Sequence, residues 1–121
     1  MRTLFAYGTL IFDEVMRQVT GRTFRGIDAL LPGYARYRIK DAPYPGIIPC
    51  DGAVVKGKVY FDIDDKSLAM LDQYEGGLYE KITVQVRIDN GETCDAIAYK
   101  VKDTHKGMLT HELWAPGELE G

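Results

Sequence analysis

Serine is almost missing from this chain: Ser67 is the only one. It stands at the start of a predicted helix and outside any G-x-S-x-G turn, so its hydroxyl reads as first-turn capping or packing, not as a nucleophile. Cysteine is scarce too. Cys50 and Cys94 are far apart and in no metal-ligand spacing, which reads as two free thiols in a reducing compartment, with no local base to activate either one. His105 and His111, six residues apart, match neither the i, i+4 pair of a helical metal site nor a cysteine partner, so they read as solvated surface side chains and no metal is expected. No apolar run approaches the roughly 20 residues of a membrane helix. Met1-Arg2-Thr3-Leu4 leads directly into a first strand, without a charged leader and apolar segment, and the expectation is a cytoplasmic protein that does not engage membrane. Positive charge is not in excess either. A formal net charge of -3 argues against broad attraction to nucleic acid.

What the chain does contain fits one domain, residues 1–121, large enough to bury a core without metal or disulfide staples. Leu4-Phe5-Ala6 begins as a strand. Asp13 to Thr20 carries Val15, Met16 and Val19 at helical spacing, with Gly21 as its stop. From Ala29 to Lys40 the pattern alternates: Ala35, Tyr37 and Ile39 face one side, Tyr34, Arg36, Arg38 and Lys40 the other. Ala42-Pro43-Tyr44-Pro45-Gly46 reads as an irregular loop anchored by Ile47 and Ile48, and a strand is expected from Val54 to Phe61. Asp64 or Asp65 caps a second helix that runs to about Tyr74 and ends at Gly76-Gly77. Tyr79 to Ile88, the turn Asp89-Asn90-Gly91, and Cys94 to Val101 form a hairpin. The tail around Trp114 and Pro116 is expected to be only partly ordered. Strands cluster without regular helix alternation, so the fold class is α+β: a small, curved, antiparallel or mixed sheet, barrel-like, with two short helices outside.

Three features carry chemistry. The second helix places Leu68, Leu71 and Glu75 nearly on one side, with Met70 and Tyr74 widening the apolar arc. A carboxyl that continues a buried stripe is costly to ionise, and its pKa rises toward the range where it can take and return a proton. Fraying at Gly76 would instead let it swing into water, and periodicity leaves both outcomes open. Secondly, Tyr7-Gly8-Thr9-Leu10 stops a strand on a glycine, where the backbone can turn and leave amide N–H groups free for a carboxylate or an oxyanion. Thirdly, Arg36, Arg38 and Lys40, beside Tyr34, form a basic stripe that suits either a solvated strand face or an anionic partner. Eight tyrosines are available to line a cleft, and Tyr44, Tyr74 and Tyr79 sit where its mouth is expected.

These pieces occur in the order of a known family. Leu4-Phe5-Ala6-Tyr7-Gly8-Thr9-Leu10, Leu31-Pro32-Gly33-Tyr34 with Tyr37-Arg38, Tyr44-Pro45-Gly46-Ile47, Leu71-Asp72-Gln73-Tyr74-Glu75-Gly76 and Tyr79-Glu80-Lys81 together resemble the γ-glutamylcyclotransferase-like superfamily, in the branch similar to the plant avirulence-induced-gene products. The resemblance implies a small barrel with a cavity at one mouth. It also implies that backbone amides of Tyr7, Gly8, Thr9 and Leu10 hold a γ-glutamyl group, that Tyr79 and Tyr7 wall the site, and that Glu75 is the acid/base of an intramolecular cyclisation to 5-oxoproline. That activity needs no cofactor, and its partner is a small γ-glutamyl amine or amino acid; the oligomeric state, a homodimer included, is not set. Two departures stand out. Lys81 replaces an arginine common in relatives, and a lysine cannot reproduce a bidentate guanidinium contact. The chain also ends soon after Trp114, where many relatives continue into an aromatic-rich helix. The alternative on the same scaffold is a non-catalytic module that binds a small carboxylated metabolite; a nucleic-acid binder using Arg36, Arg38 and Lys40 is the third reading.

Overall fold

The computed structural model describes residues 2–39, 45–102 and 109–113, the last segment by its backbone. Lys40, Tyr44, His105, Trp114 and Pro116, and the side chain of His111, therefore lie outside the described residues, as does the expected tail. The elements in order are β1 (Arg2–Ala6), α1 (Asp13–Thr20), β2 (Gly26–Ile39), β3 (Pro45–Ile63), α2 (Asp65–Glu75), β4 (Tyr79–Ile88), β5 (Thr93–Val101) and β6 (Leu109–Leu113).

Five strands close on themselves. The order β3-β1-β5-β4-β2 returns to β3 through a long β2–β3 pairing, and β6 adds to the far end of β2. The β1–β5 contact is parallel and the other pairs are antiparallel, which makes a mixed, barrel-like sheet as the alternating pattern suggested. Alternation along each strand then separates two cores. Phe5, Tyr7, Ala29, Leu31, Val59, Val86 and Ala98, drawn from all five strands, fill the barrel. Leu4, Ala6, Ile63 and Val101 point outward and meet Met16 of α1 with Leu68 and Leu71 of α2. The helices are thus an outer layer that buries one face of β1 and leaves its last residue, Ala6, leading into the opening between them.

Local signals set the ends of both helices. Gly21 ends α1 in the left-handed conformation at φ 75°, and Asp64 caps α2 by accepting from the Ser67 amide at 3.2 Å. Ser67 is buried in that first turn. The β4–β5 hairpin pairs from Tyr79↔Val101 to Arg87↔Thr93, with Gly91 at φ 83° in its turn. The Pro-Gly segment differs from expectation. Pro45 and Gly46 are not loop but the first residues of β3, opposite Arg38 and Tyr37, and the strand starts there, well before Val54. Proline is tolerated at a strand's first position. Gly33 and Gly52, both at φ 82°, absorb a register shift next to Pro32, so residues that resemble loop punctuation bend one continuous hairpin.

One glycine is fixed by crowding. A side chain at Gly57 would run into the Ala6 carbonyl and lie 2.7 Å from the Phe5 ring. Backbone cannot rotate aside as a side chain does, and Gly57→Ala should destabilise the protein by about 3 kcal/mol or more, the upper end of overpacking costs. Urea denaturation of the variant against wild type measures it.

Candidate active site

β1 runs out at Ala6, and the chain enters a single 3₁₀ turn, Thr9–Ile11, in which the Ile11 amide donates to the Gly8 carbonyl at 3.1 Å. Gly8 stands at φ -123° and ψ -135°, outside the regular strand and helix regions. Close approach also favours it: a Cβ there would stand 3.0 Å from Cδ of Pro45, the first residue of β3. Tight packing thus adds to the irregular turn expected at this glycine. Tyr60 holds the turn from below, its hydroxyl donating to the carbonyls of Leu10 at 2.8 Å and Ile11 at 3.0 Å.

The turn faces the end of α2 across a small cavity lined by Leu4, Phe5, Ala6, Tyr7, Gly8, Thr9, Leu10, Pro45, Glu75, Tyr79 and Tyr99. Every site residue expected from sequence (Glu75, Tyr7, Gly8, Thr9, Leu10 and Tyr79) is on this wall. Glu75 follows Leu68 and Leu71 around the helix, the first of the two outcomes that periodicity left open, and Gly76 at φ 77° turns the chain away immediately after it. The residue keeps some exposed surface, but its carboxyl is withdrawn from water, and burial raises its pKa from 4.5 to about 7. Tyr74 does not extend the buried arc. It is exposed, on the rim, and its hydroxyl shares a hydrogen bond of 3.0 Å with Thr9 Oγ1 that ties α2 to the turn.

The phenols around Glu75 all donate into the protein. Tyr7 donates to the Tyr99 carbonyl, Tyr79 to the Pro45 carbonyl at 2.7 Å, and Tyr99 to Asp72 Oδ1 at 2.6 Å. Burial, then Tyr79 and Glu75, push the Tyr7 phenol well above its ordinary range, while burial and the hydrogen bond to Asp72 push Tyr99 the same way. These rings stay neutral with their protons engaged, so toward the cavity their oxygens present lone pairs. Lys81 binds the other oxygen of Asp72 at 3.0 Å. The lysine therefore keeps an ion pair where an arginine could have made a fork, and Asp72 connects it to the cavity through Tyr99. Tyr99, Pro45 and Asp72 are not singled out by the sequence as site residues; the only signal for Tyr99 is its place in the second strand of the expected hairpin.

Other candidates fall away from this cavity. Arg36 does not stand on a solvated face: its Nη1 donates to the Tyr7 carbonyl at 2.6 Å and the Lys56 carbonyl at 3.0 Å. Arg38 and Tyr34 are half-buried as well. Cys50 and Cys94 are free and half-buried, and burial together with Asp95 pushes the Cys94 thiol up, away from thiolate chemistry. Among the described residues no three His, Cys, Asp or Glu side chains gather as metal ligands, and no helix is long and apolar enough to cross a membrane. A roomier cleft lies elsewhere, lined by Ile11, Leu30, Arg36, Lys56, Arg87 and Ile88 among others. Its two carboxylates, Asp28 and Asp89, are exposed, whereas the Glu75 cavity holds a withdrawn carboxyl and is the candidate taken forward.

Known proteins resemble the chain in sequence and in fold. Residues 4–116 match the family model described as gamma-glutamyl cyclotransferase, AIG2-like. AIG2-like protein D of Arabidopsis thaliana is 42% identical over 86 residues, 71% of this chain and 57% of that protein. Protein AIG2 C of the same plant is 38% identical over 97 residues, covering 79% of this chain and 59% of its own length, so the chain spans less than two thirds of these curated relatives. Among solved structures, an Arabidopsis thaliana protein in solution superposes with a TM-score of 0.82 at 32% identity, over 98% of this chain and 72% of the other.

Proposed function

The chain belongs to the gamma-glutamyl cyclotransferase, AIG2-like family, and we propose that it cyclises a small γ-glutamyl amine or amino acid to 5-oxoproline. In such a substrate the α-amine attacks the γ-carbonyl of the same molecule. A C–N bond forms within a five-membered ring, the original γ-amide C–N bond breaks, and no water is consumed. Ionised Glu75 takes a proton from the α-amino group as it attacks and delivers it to the departing nitrogen, so one carboxyl serves both halves. A pKa of about 7 leaves it divided between acid and base at neutral pH. That carboxyl, sunk among Tyr7, Tyr79 and Tyr99, is the observation that carries the reading.

The cavity wall supports the rest. Amides of the turn Tyr7-Gly8-Thr9-Leu10 would receive the carboxylate or the developing oxyanion, and the phenol oxygens would receive the α-amino hydrogens. Holding amine and carbonyl in contact inside a fitted cavity contributes several kcal/mol of orientation. The test is 5-oxoproline release from γ-glutamyl amines, γ-glutamyl amino acids and glutathione; folded protein that releases none from the panel removes the proposal. A binding module would instead be stabilised by glutamate or 5-oxoproline without any product.

Gly8 gives a second check. In Gly8→Ala the new methyl presses on the Pro45 ring. Pro45 holds Tyr79 through its carbonyl, so the displacement reaches both walls. Turnover should drop about tenfold or more, since small misplacements cost that much, while stability falls by only about 1 kcal/mol. Kinetics beside a thermal melt separate the two.

A further inference from the structure

We propose that Arg36 is a positioning residue that aims and polarises the Gly8 amide, an inference that rests on the cyclisation reading for its catalytic consequence. The guanidinium reaches the turn from a residue 29 positions away, and Nη1 donates to the Tyr7 carbonyl at 2.6 Å. That oxygen belongs to the same peptide unit as the Gly8 N–H. All peptide bonds described are trans, and in a planar trans unit C=O and N–H point in opposite directions. Arg36 lines the roomier cleft and not the Glu75 cavity, whereas Tyr7 and Gly8 line both the turn and that cavity. A cation fastened to the oxygen on one side therefore sends the N–H toward the other, where substrate would lie. Among the turn and loop backbone hydrogen bonds of the described residues, none has the Gly8 amide as its donor.

The charge does more than tether. A guanidinium on the carbonyl oxygen draws density through the conjugated O–C–N unit and makes the N–H a stronger donor. Its second bond, to the Lys56 carbonyl at 3.0 Å, fixes the group against β3. Burial pulls the Arg36 pKa down, with Tyr7 opposing, yet a guanidinium stays charged throughout the working range. The charge thus sits half-buried behind the amide, where water screens it weakly. Neither the alternating pattern nor the basic stripe pointed to this use of Arg36.

Three variants test it. Arg36→Met removes charge and donors, Arg36→Gln keeps an amide donor without the charge, and Arg36→Lys keeps the charge. Loss of a whole oxyanion donor costs about 10²–10³-fold, so loss of its polarisation should lower kcat/KM about tenfold or more in Met and Gln, with Lys closest to wild type. The chain is small enough for amide NMR, and the Gly8 proton should move upfield in Met and Gln and stay near its wild-type position in Lys. A Gln variant with wild-type turnover and an unmoved Gly8 proton would overturn the proposal, as would losses that only follow the fraction unfolded in a melt. Gln carries the comparison if Met does not fold. If wild-type protein turns over no γ-glutamyl compound, the cyclisation fails by itself, and the Gly8 resonance across the three variants still decides for or against Arg36.

Discussion

Glu75→Gln should lower 5-oxoproline release by about 10²–10⁴-fold, the share that a positioned acid/base contributes, while the variant melts as a folded protein and still binds. Glutamine preserves the volume and the polar atoms of the side chain but cannot accept a proton from an amine. The pH profile is the sharper half of this prediction. The step begins with ionised Glu75, and burial holds that carboxyl at about 7. Below that value the base is progressively neutralised, so kcat/KM of the wild type should fall about tenfold per pH unit on the acid side of 7. A carboxyl in water would place this limb near 4.5. An acid limb found there, or equal turnover by both proteins, would mean that Glu75 is not the proton carrier.

Both halves of the candidate site are marked in the sequence, for different reasons. Helical spacing put Glu75 in line with Leu68 and Leu71 but left open whether it was buried or swung into water at Gly76; the packing of the fold decides for burial. The turn at Gly8 could be found because a glycine interrupts a short apolar strand, and the Pro45 ring beside it was the part that local sequence did not show. What remained hidden depends on contacts across the barrel. Tyr7 and Tyr99 are 92 residues apart, Tyr79 and Pro45 34 apart, Tyr99 and Asp72 27 apart. No local periodicity encodes such pairs; they follow from strand order, above all from the parallel β1–β5 neighbourhood that brings Tyr99 to the end of β1. Arg36 illustrates the same limit. Alternation placed it on a face, and only closure of β2 and β3 around β1 decided that this face would meet a carbonyl and not solvent.

The same substitution that stops turnover should make the protein more stable at alkaline pH. Glu75 titrates at about 7 when folded and near 4.5 when its environment is lost on unfolding. Between those values the folded state binds the extra proton, so stability associated with Glu75 is complete below 4.5 and is lost as pH rises through 7. The gap corresponds to about 3 kcal/mol, and the partial exposure of the residue argues for about 2. Glutamine has no charge to bury at any pH. Urea denaturation should therefore find Glu75→Gln and wild type within error of each other near pH 4.5, and the variant ahead by about 2 kcal/mol at pH 8.5. Curves that stay parallel across that interval would place the carboxyl in water and remove the physical basis for its role as a base. A widening gap would identify the carboxyl as a group kept for chemistry at a cost to the fold, as expected of an acid held among tyrosines.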